Sequence, residues 1–145
     1  MKKTLILLLT FLFLSCHYTE KFENREEDKV AAEKITSQVF AFVKKSDYDS
    51  AMNLFDKKFF EATPKAEMKN IFEVTETKLG KLKSTKLEQC TTVTSEGAIE
   101  TGTYVLVYDC DFEKEKGKLN ITLTKSEDHK IRVIGYRIES KAFLE

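Results

Sequence analysis

Apolar residues recur along this chain with two periods, and the change of period divides it in half. From about Asp28 to Lys45, Ala31, Ile35, Val39, Phe42 and Val43 return at helical spacing, with charged residues filling much of the opposite face. Acidic residues gather near the start and Lys44-Lys45 near the end, as the helix dipole prefers. Ser46-Asp-Tyr-Asp restarts the chain. Ser46 or Asp47 can cap a second helix carrying Tyr48, Ala51, Met52 and Phe55, with Phe59-Phe60 closing the unit onto the core. Thr63-Pro64 opens a third, with Thr63 as N-cap and Pro64 at the first helical position, where its missing N–H is not needed. This helix carries Met68, Ile71, Phe72 and Thr75 and ends near Leu79, where Gly80 can take the left-handed conformation.

Beyond Gly80 the period falls to two. Lys81 to Thr94 is rich in Thr and Val, but Leu82 and Leu87 have opposite parity, which a β-bulge would reconcile. Thr103 to Phe112 is the most strand-like run. Tyr104, Leu106, Tyr108, Cys110 and Phe112 share one face, and Thr103, Val105, Val107, Asp109 and Asp111 the other. After the charged turn Glu113 to Gly117, Leu119, Ile121 and Leu123 alternate with polar residues. A second turn, Ser126 to His129, leads into Ile131 to Ile138. That last strand is apolar on both faces, which leaves two readings, a bulge or a face covered by a second subunit; monomer and homodimer both stand. The pattern predicts an α+β domain, with three N-terminal helices packed on one face of a curved four-stranded antiparallel sheet.

The N-terminus follows neither period. Met1-Lys-Lys precedes an apolar run from Leu5 to Leu14, proportions of a secretory signal and too short to cross a bilayer as a helix. Ser15 stands directly before Cys16 at the end of this run. The arrangement resembles the bacterial lipobox, in which the cysteine is diacylated and becomes the first residue of the mature protein. Phe13 departs from that pattern, which prefers Leu three residues before the cysteine. An ordinary signal peptide with an incidental cysteine is the competing reading. The lipobox resemblance implies a signal peptide over 1–15 and a lipidated Cys16; the polar, acid-rich residues after it read as a flexible tether, 16–27, before a single domain over 28–145. The lipobox resemblance implies a protein secreted across the inner membrane and lipid-anchored in the cell envelope. His17, rather than Asp, follows the cysteine, and by analogy with enterobacterial sorting this favours the outer membrane over the inner.

A second resemblance covers about residues 35 to 138. Leu79-Gly-Lys-Leu82, Tyr104-Val-Leu-Val-Tyr108, Asp111-Phe112, Thr122-Leu-Thr124 and Ile131-Arg-Val-Ile-Gly-Tyr136 follow one another as in the bacterial domain of unknown function 4019. The Ser46-Asp-Tyr48 break also resembles a Gly-Asp-Tyr frequent in that family. Ile131 stands where the family usually has Trp, and Lys118-Leu119 where it often has Glu-Thr. The resemblance implies a cystatin-like or nuclear-transport-factor-like cone, helices packed into a curved sheet and sometimes around a pocket. It implies no activity.

Charge and composition narrow the functions further. Lys and Arg number 24, as do Asp and Glu; without Lys2 and Lys3 the acids exceed the bases by two, which argues against nucleic acid as a partner. The two histidines, His17 in the tether and His129 in a turn, provide no zinc site or histidine-based triad. No phosphate-loop, nucleophile-elbow or metalloprotease motif is present, and no cofactor, metal or catalytic set is assigned. Cys90 and Cys110 form an even pair once Cys16 is lipidated. They fall directly opposite if the hairpin is centred near Glu100, and a bridge closing about 20 residues would stabilise by roughly 3 kcal/mol. Two buried free thiols are the alternative.

Four residues are candidates for binding: Tyr108, Asp109, Tyr136 and Arg137. Asp109 and Asp111 could hold a cation or exchange protons, or be simply solvated. Tyr108 and Tyr136 could line a pocket or fill the core. Arg132 and Arg137 have opposite parities and would face apart in a regular strand. The favoured reading is a lipid-anchored envelope domain that binds a protein or small ligand without catalysis. The alternatives are an acid–base enzyme with its site in a cone pocket, using Asp109 with Tyr136, and a lipid-anchored immunity or inhibitor protein.

Overall fold

A computed structural model of the chain describes residues 19–97 and 99–144. Cys16 and the signal segment lie outside them. The described residues open with a short strand, β1 (Glu20–Glu23), followed by four helices: α1 (Glu26–Lys44), α2 (Tyr48–Met52), α3 (Lys57–Ala62) and α4 (Lys65–Leu79). Four longer strands follow, β2 (Leu82–Glu96), β3 (Thr101–Phe112), β4 (Lys116–Lys125) and β5 (Ile131–Glu139), and a 3-10 turn over Lys141–Phe143 ends the described chain. All five strands pair antiparallel in chain order. The α+β class holds, but the count of elements does not: the described residues hold four helices and five strands where three and four were expected.

The extra strand comes from the stretch read as tether. Glu20 to Glu23 pair with Glu96 to Val93 along the edge of the sheet. Only Phe22 gives this run an apolar side, so periodicity could not reveal it. Arg25 holds it instead. Its guanidinium lies 4.0 Å from the centre of the Phe22 ring and reaches Asp28 and Glu96, each at 2.7 Å, and Thr94 at 3.1 Å. Asn24 adds a clamp, its backbone N–H donating to Thr92 and its side-chain oxygen accepting from the Thr92 N–H. α1 therefore starts at Glu26, with Glu26, Glu27 and Asp28 in its first turn.

The extra helix is six residues long, too short for a 3.6-residue period to show. Asp56 caps it by accepting from the Lys58 N–H at 2.9 Å. Asp47 caps α2 in the same way through Ser50, as the sequence allowed. α4 begins one residue later than read, with Pro64 rather than Thr63 at the cap. It ends at Leu79. Gly80 follows with φ of 83°, and a Cβ there would stand 2.7 Å from Glu113 Cβ, so both conformation and space require glycine.

The sheet restores by bulges what the sequence left out of phase. β2 shifts register between Leu82 and Ser84 and again between Leu87 and Gln89, and Leu82 and Leu87 both pair with inward residues of β3. In β5 the extra residue is Ile134, 37% exposed, between Val133, which is fully buried, and Gly135. Val133, Tyr136 and Ile138 thus pair with Leu123, Ile121 and Leu119 and share the inner face. The bulge accounts for the two apolar faces.

The core lies between the helices and this inner face. Ala32, Val39, Phe72, Leu106, Ile121 and Leu123 are all within 2% of complete burial. Phe55 joins α3 to the sheet: it stacks among Phe59, Phe60, Phe72 and Tyr136, and its backbone forms a parallel bridge to Val133. Among the described residues, no helix is long and apolar enough to cross a membrane.

Candidate functional site

Several concavities mark the described residues, among them an open one of about 870 Å³ lined by Asp109, Lys116 and Glu139 at the far end of the sheet; two others differ most in kind. The first is a crevice between the layers, walled by Phe40, Val43, Phe72, Leu82, Phe112 and Leu119. Its volume is about 20 Å³, room for one water molecule. Glu76 stands at its opening. One carboxylate oxygen accepts from Ser46 Oγ at 2.7 Å and from the Tyr48 hydroxyl. α4 presents Glu76, and the Ser46-Asp47-Tyr48 break after α1 brings both donors to it. The Tyr48 bond, then that of Ser46, holds the Glu76 carboxyl below its usual range. Burial, reinforced by Glu76, pushes the Tyr48 phenol up to about 12.

Deeper in the crevice stand Cys110 and Tyr136. Burial, with Asp109 nearby, pushes the Cys110 thiol up to about 12. Burial also raises the Tyr136 phenol, and its hydroxyl has no hydrogen-bond partner among the described residues. At pH 7 the crevice therefore holds one carboxylate, two phenols and a thiol, each in its resting state. None is tuned toward neutrality, where a general acid or base works best.

The second concavity is an open recess of about 1040 Å³ at one end of the outer sheet face. Its floor is β-branched and hydroxyl-bearing: Val93 and Ser95 from β2, Thr101 and Thr103 from β3, Thr124 from β4. The start of α3 forms a wall, with Asp56, Lys57 and Lys58. Arg132 pairs with Asp128 at 2.5 Å and Lys125 with Glu100 at 2.6 Å. Lys57 and Lys58 are exposed and make no ion pair among the described residues.

The candidates read from the sequence do not converge. Tyr108 is buried on the inner face, where Thr36 Oγ1 and its hydroxyl bond at 2.6 Å; burial pushes it up to about 12. It belongs to the core, and Tyr136 lines the crevice. Asp109 lies on the outer face, paired with Lys118 at 3.1 Å, and Asp111 accepts from Ser84 at 3.1 Å. Asp109 and Tyr136 thus occupy opposite faces and cannot serve one pocket. Arg137 is exposed and paired with Glu139 at 3.2 Å. The β5 bulge puts Arg132 and Arg137 on the same outer face, opposite Thr124 and Asn120, against the parity argument, yet each has its own acid.

The expected disulfide is also corrected. Cys90 pairs with Leu106 and Cys110 with Thr85, because Ser95 opposite Thr101 centres the hairpin near residue 98 rather than Glu100. Four residues of β3 separate the two positions, about 13 Å at the rise of a strand, beyond the ~7 Å limit for bridging. Both are free thiols. Glu76 was missed entirely. Its only signal was a Ser and a Tyr flanking an interhelix break, which read as capping. No cluster of three or more His, Cys, Asp or Glu could hold a metal ion among the described residues.

No curated protein and no solved structure matches the chain. A family model, described as a protein of unknown function (DUF3887), matches residues 36–132, from the middle of α1 to the start of β5. That stretch holds α2 to α4, the β2–β4 meander and the whole Ser46–Tyr48–Glu76 cluster; the likeness to domain of unknown function 4019 gains no support from it. The chain belongs to the family of proteins of unknown function DUF3887.

Proposed function

We propose that this protein is a lipid-anchored, non-catalytic binding module of the cell envelope, held by Cys16, that engages a protein partner through the outer recess. One observation carries the choice of binding surface. The interior has room for a single water, whereas the recess beside α3 is open, large and lined by short hydroxyl and β-branched side chains. Small-molecule sites usually enclose about 300–1,000 Å³ of mostly apolar space; the crevice is far smaller, and the recess is open with a mixed lining. A shallow, mixed surface that presents Lys57 and Lys58 suits a partner's side chains. An acid–base site in the crevice would need a group titrating near neutrality, and Glu76, Tyr48 and Cys110 are all held away from it. The anchor rests on the apolar run ending in Ser15-Cys16, and His17 after it favours the outer membrane.

The reading is tested by photo-crosslinking in the intact envelope. A benzoyl-phenylalanine placed at Thr103, on the floor of the recess, should give a discrete protein adduct. The same group at Glu67, on the exposed surface of α4, should give none. No adduct from Thr103, or the same adducts from both positions, would overturn the reading. Cys16→Ser should release the chain from the membrane fraction; retention would count against the anchor.

A further inference from the structure

We infer that two copies of this chain associate edge to edge, the second half of β5 pairing antiparallel with itself about Ile138. The inference is independent of the anchor and the recess proposed above. The backbone marks the free edge. Val133 turns its N–H and C=O away from β4: the N–H donates to the Leu54 carbonyl at 3.0 Å, and the C=O accepts from the Asp56 N–H at 2.8 Å. That short segment covers the first half of the edge. Tyr136 and Ile138 share the inward side-chain phase of Val133, so their backbone groups turn the same way. On that side they have no backbone partner among the described residues. From Gly135 to Glu139 the pairing with β4 runs without a shift, and Ser140 continues the extended backbone. The opposite edge is blunted. β1 covers the end of β2, and the rest of β2 is broken by its two bulges and carries Lys83, Lys86 and Glu88. The open half of β5 has no bulge, lysine or proline.

Charge identifies the occupant as a second copy. Across the outer face, Lys86, Asp109, Lys118 and Glu139 stand opposite one another on β2, β3, β4 and β5. The row alternates in sign and stops at the open edge on Glu139, so a cation would continue it. Self-pairing about Ile138 puts Arg137 of the second copy there, and the two-fold axis repeats the contact with the roles exchanged. Arg137 and Glu139 are exposed and lie 3.2 Å apart along their own strand, free to turn toward a copy. The neighbouring registers fail. Centring on Arg137 or on Glu139 would oppose like charges, and centring on Tyr136 would bring Glu139 against Val133, whose edge is already taken by Leu54 and Asp56. Centred on Ile138, that residue exchanges hydrogen bonds with its copy, and Tyr136 faces Ser140. Few residues pair, so the interface is small and the dimer weak.

The full chain is purified in density-matched detergent and its mass followed by sedimentation equilibrium up to about 1 mM. The wild-type chain should reach a dimer. Arg137→Glu and Glu139→Arg, each checked for wild-type circular dichroism, should each weaken it about tenfold, because both symmetric contacts turn repulsive. An equimolar mixture of the two variants should recover the dimer, since every contact between unlike chains is again opposite in sign while each chain keeps its own mismatch. A wild-type chain that stays monomeric overturns the inference. So does a dimer that both substitutions leave intact, or one that the mixture fails to recover.

Discussion

Glu76 gathers two donors on one carboxylate oxygen, and this sets a pH dependence with a definite sign. Its folded pKa lies below the ordinary 4.5, so the contribution is complete above that value and lost as pH falls through the lowered one. Tyr48 behaves oppositely. Its phenol rises from 10.0 to about 12, so its contribution is complete below pH 10 and lost as pH climbs between the two values. Glu76→Gln should shrink the fall in stability between pH 5 and pH 3 and leave stability at pH 8 less pH-dependent than it is below 4.5, as read by urea unfolding across pH. An unchanged acid limb would show that the bonds contribute nothing. The cysteines make a second prediction at this scale. Unfolded without reductant, the Cys16→Ser chain should titrate two free thiols, Cys90 and Cys110, and in the folded state Cys110 should react more slowly because burial suppresses its thiolate. A single or absent thiol at unfolding would contradict the register.

Elements were legible where a period had room to repeat. α1 and α4, with 19 and 15 residues, show in the sequence, as do β3 and β4. α3 and β1, with six and four residues, are set by single polar contacts, Asp56 at a helix start and Arg25 across a strand pair, and no period announces those. Bulges fall between. Opposite parities of Leu82 and Leu87 gave notice of one in β2, and the doubly apolar last strand gave notice of one in β5. The β5 bulge can be tested directly. Val133→Ala should cost about 2 kcal/mol, because it empties a site in the core, while Ile134→Ala should change stability by less than about 0.5 kcal/mol. Equal costs in chemical denaturation would mean that Ile134 is covered as well, as a second subunit on that face would require.

At the scale of the whole molecule, sequence and structure divide the account between them. The two-part organisation was legible in the sequence, because its features are runs and periods. The candidate site was barely legible. Tyr108, Asp109, Tyr136 and Arg137 were chosen from strand patterns, which say which face a residue takes but not what the helical layer puts opposite it. Glu76 and the recess arise from the docking of α4 and α3 onto the sheet, contacts between distant parts of the chain. The central claim is that the recess, not the crevice, binds. The measurement that tests it most directly is co-isolation of the photo-crosslinked partner from envelopes carrying Thr103→Arg or Glu76→Gln, with the photoreactive group moved to Thr124 on the same floor. Thr103→Arg should abolish the adduct by filling the recess with a charged side chain, and Glu76→Gln should leave it intact. Loss of the adduct with Glu76→Gln and its survival with Thr103→Arg would contradict the account.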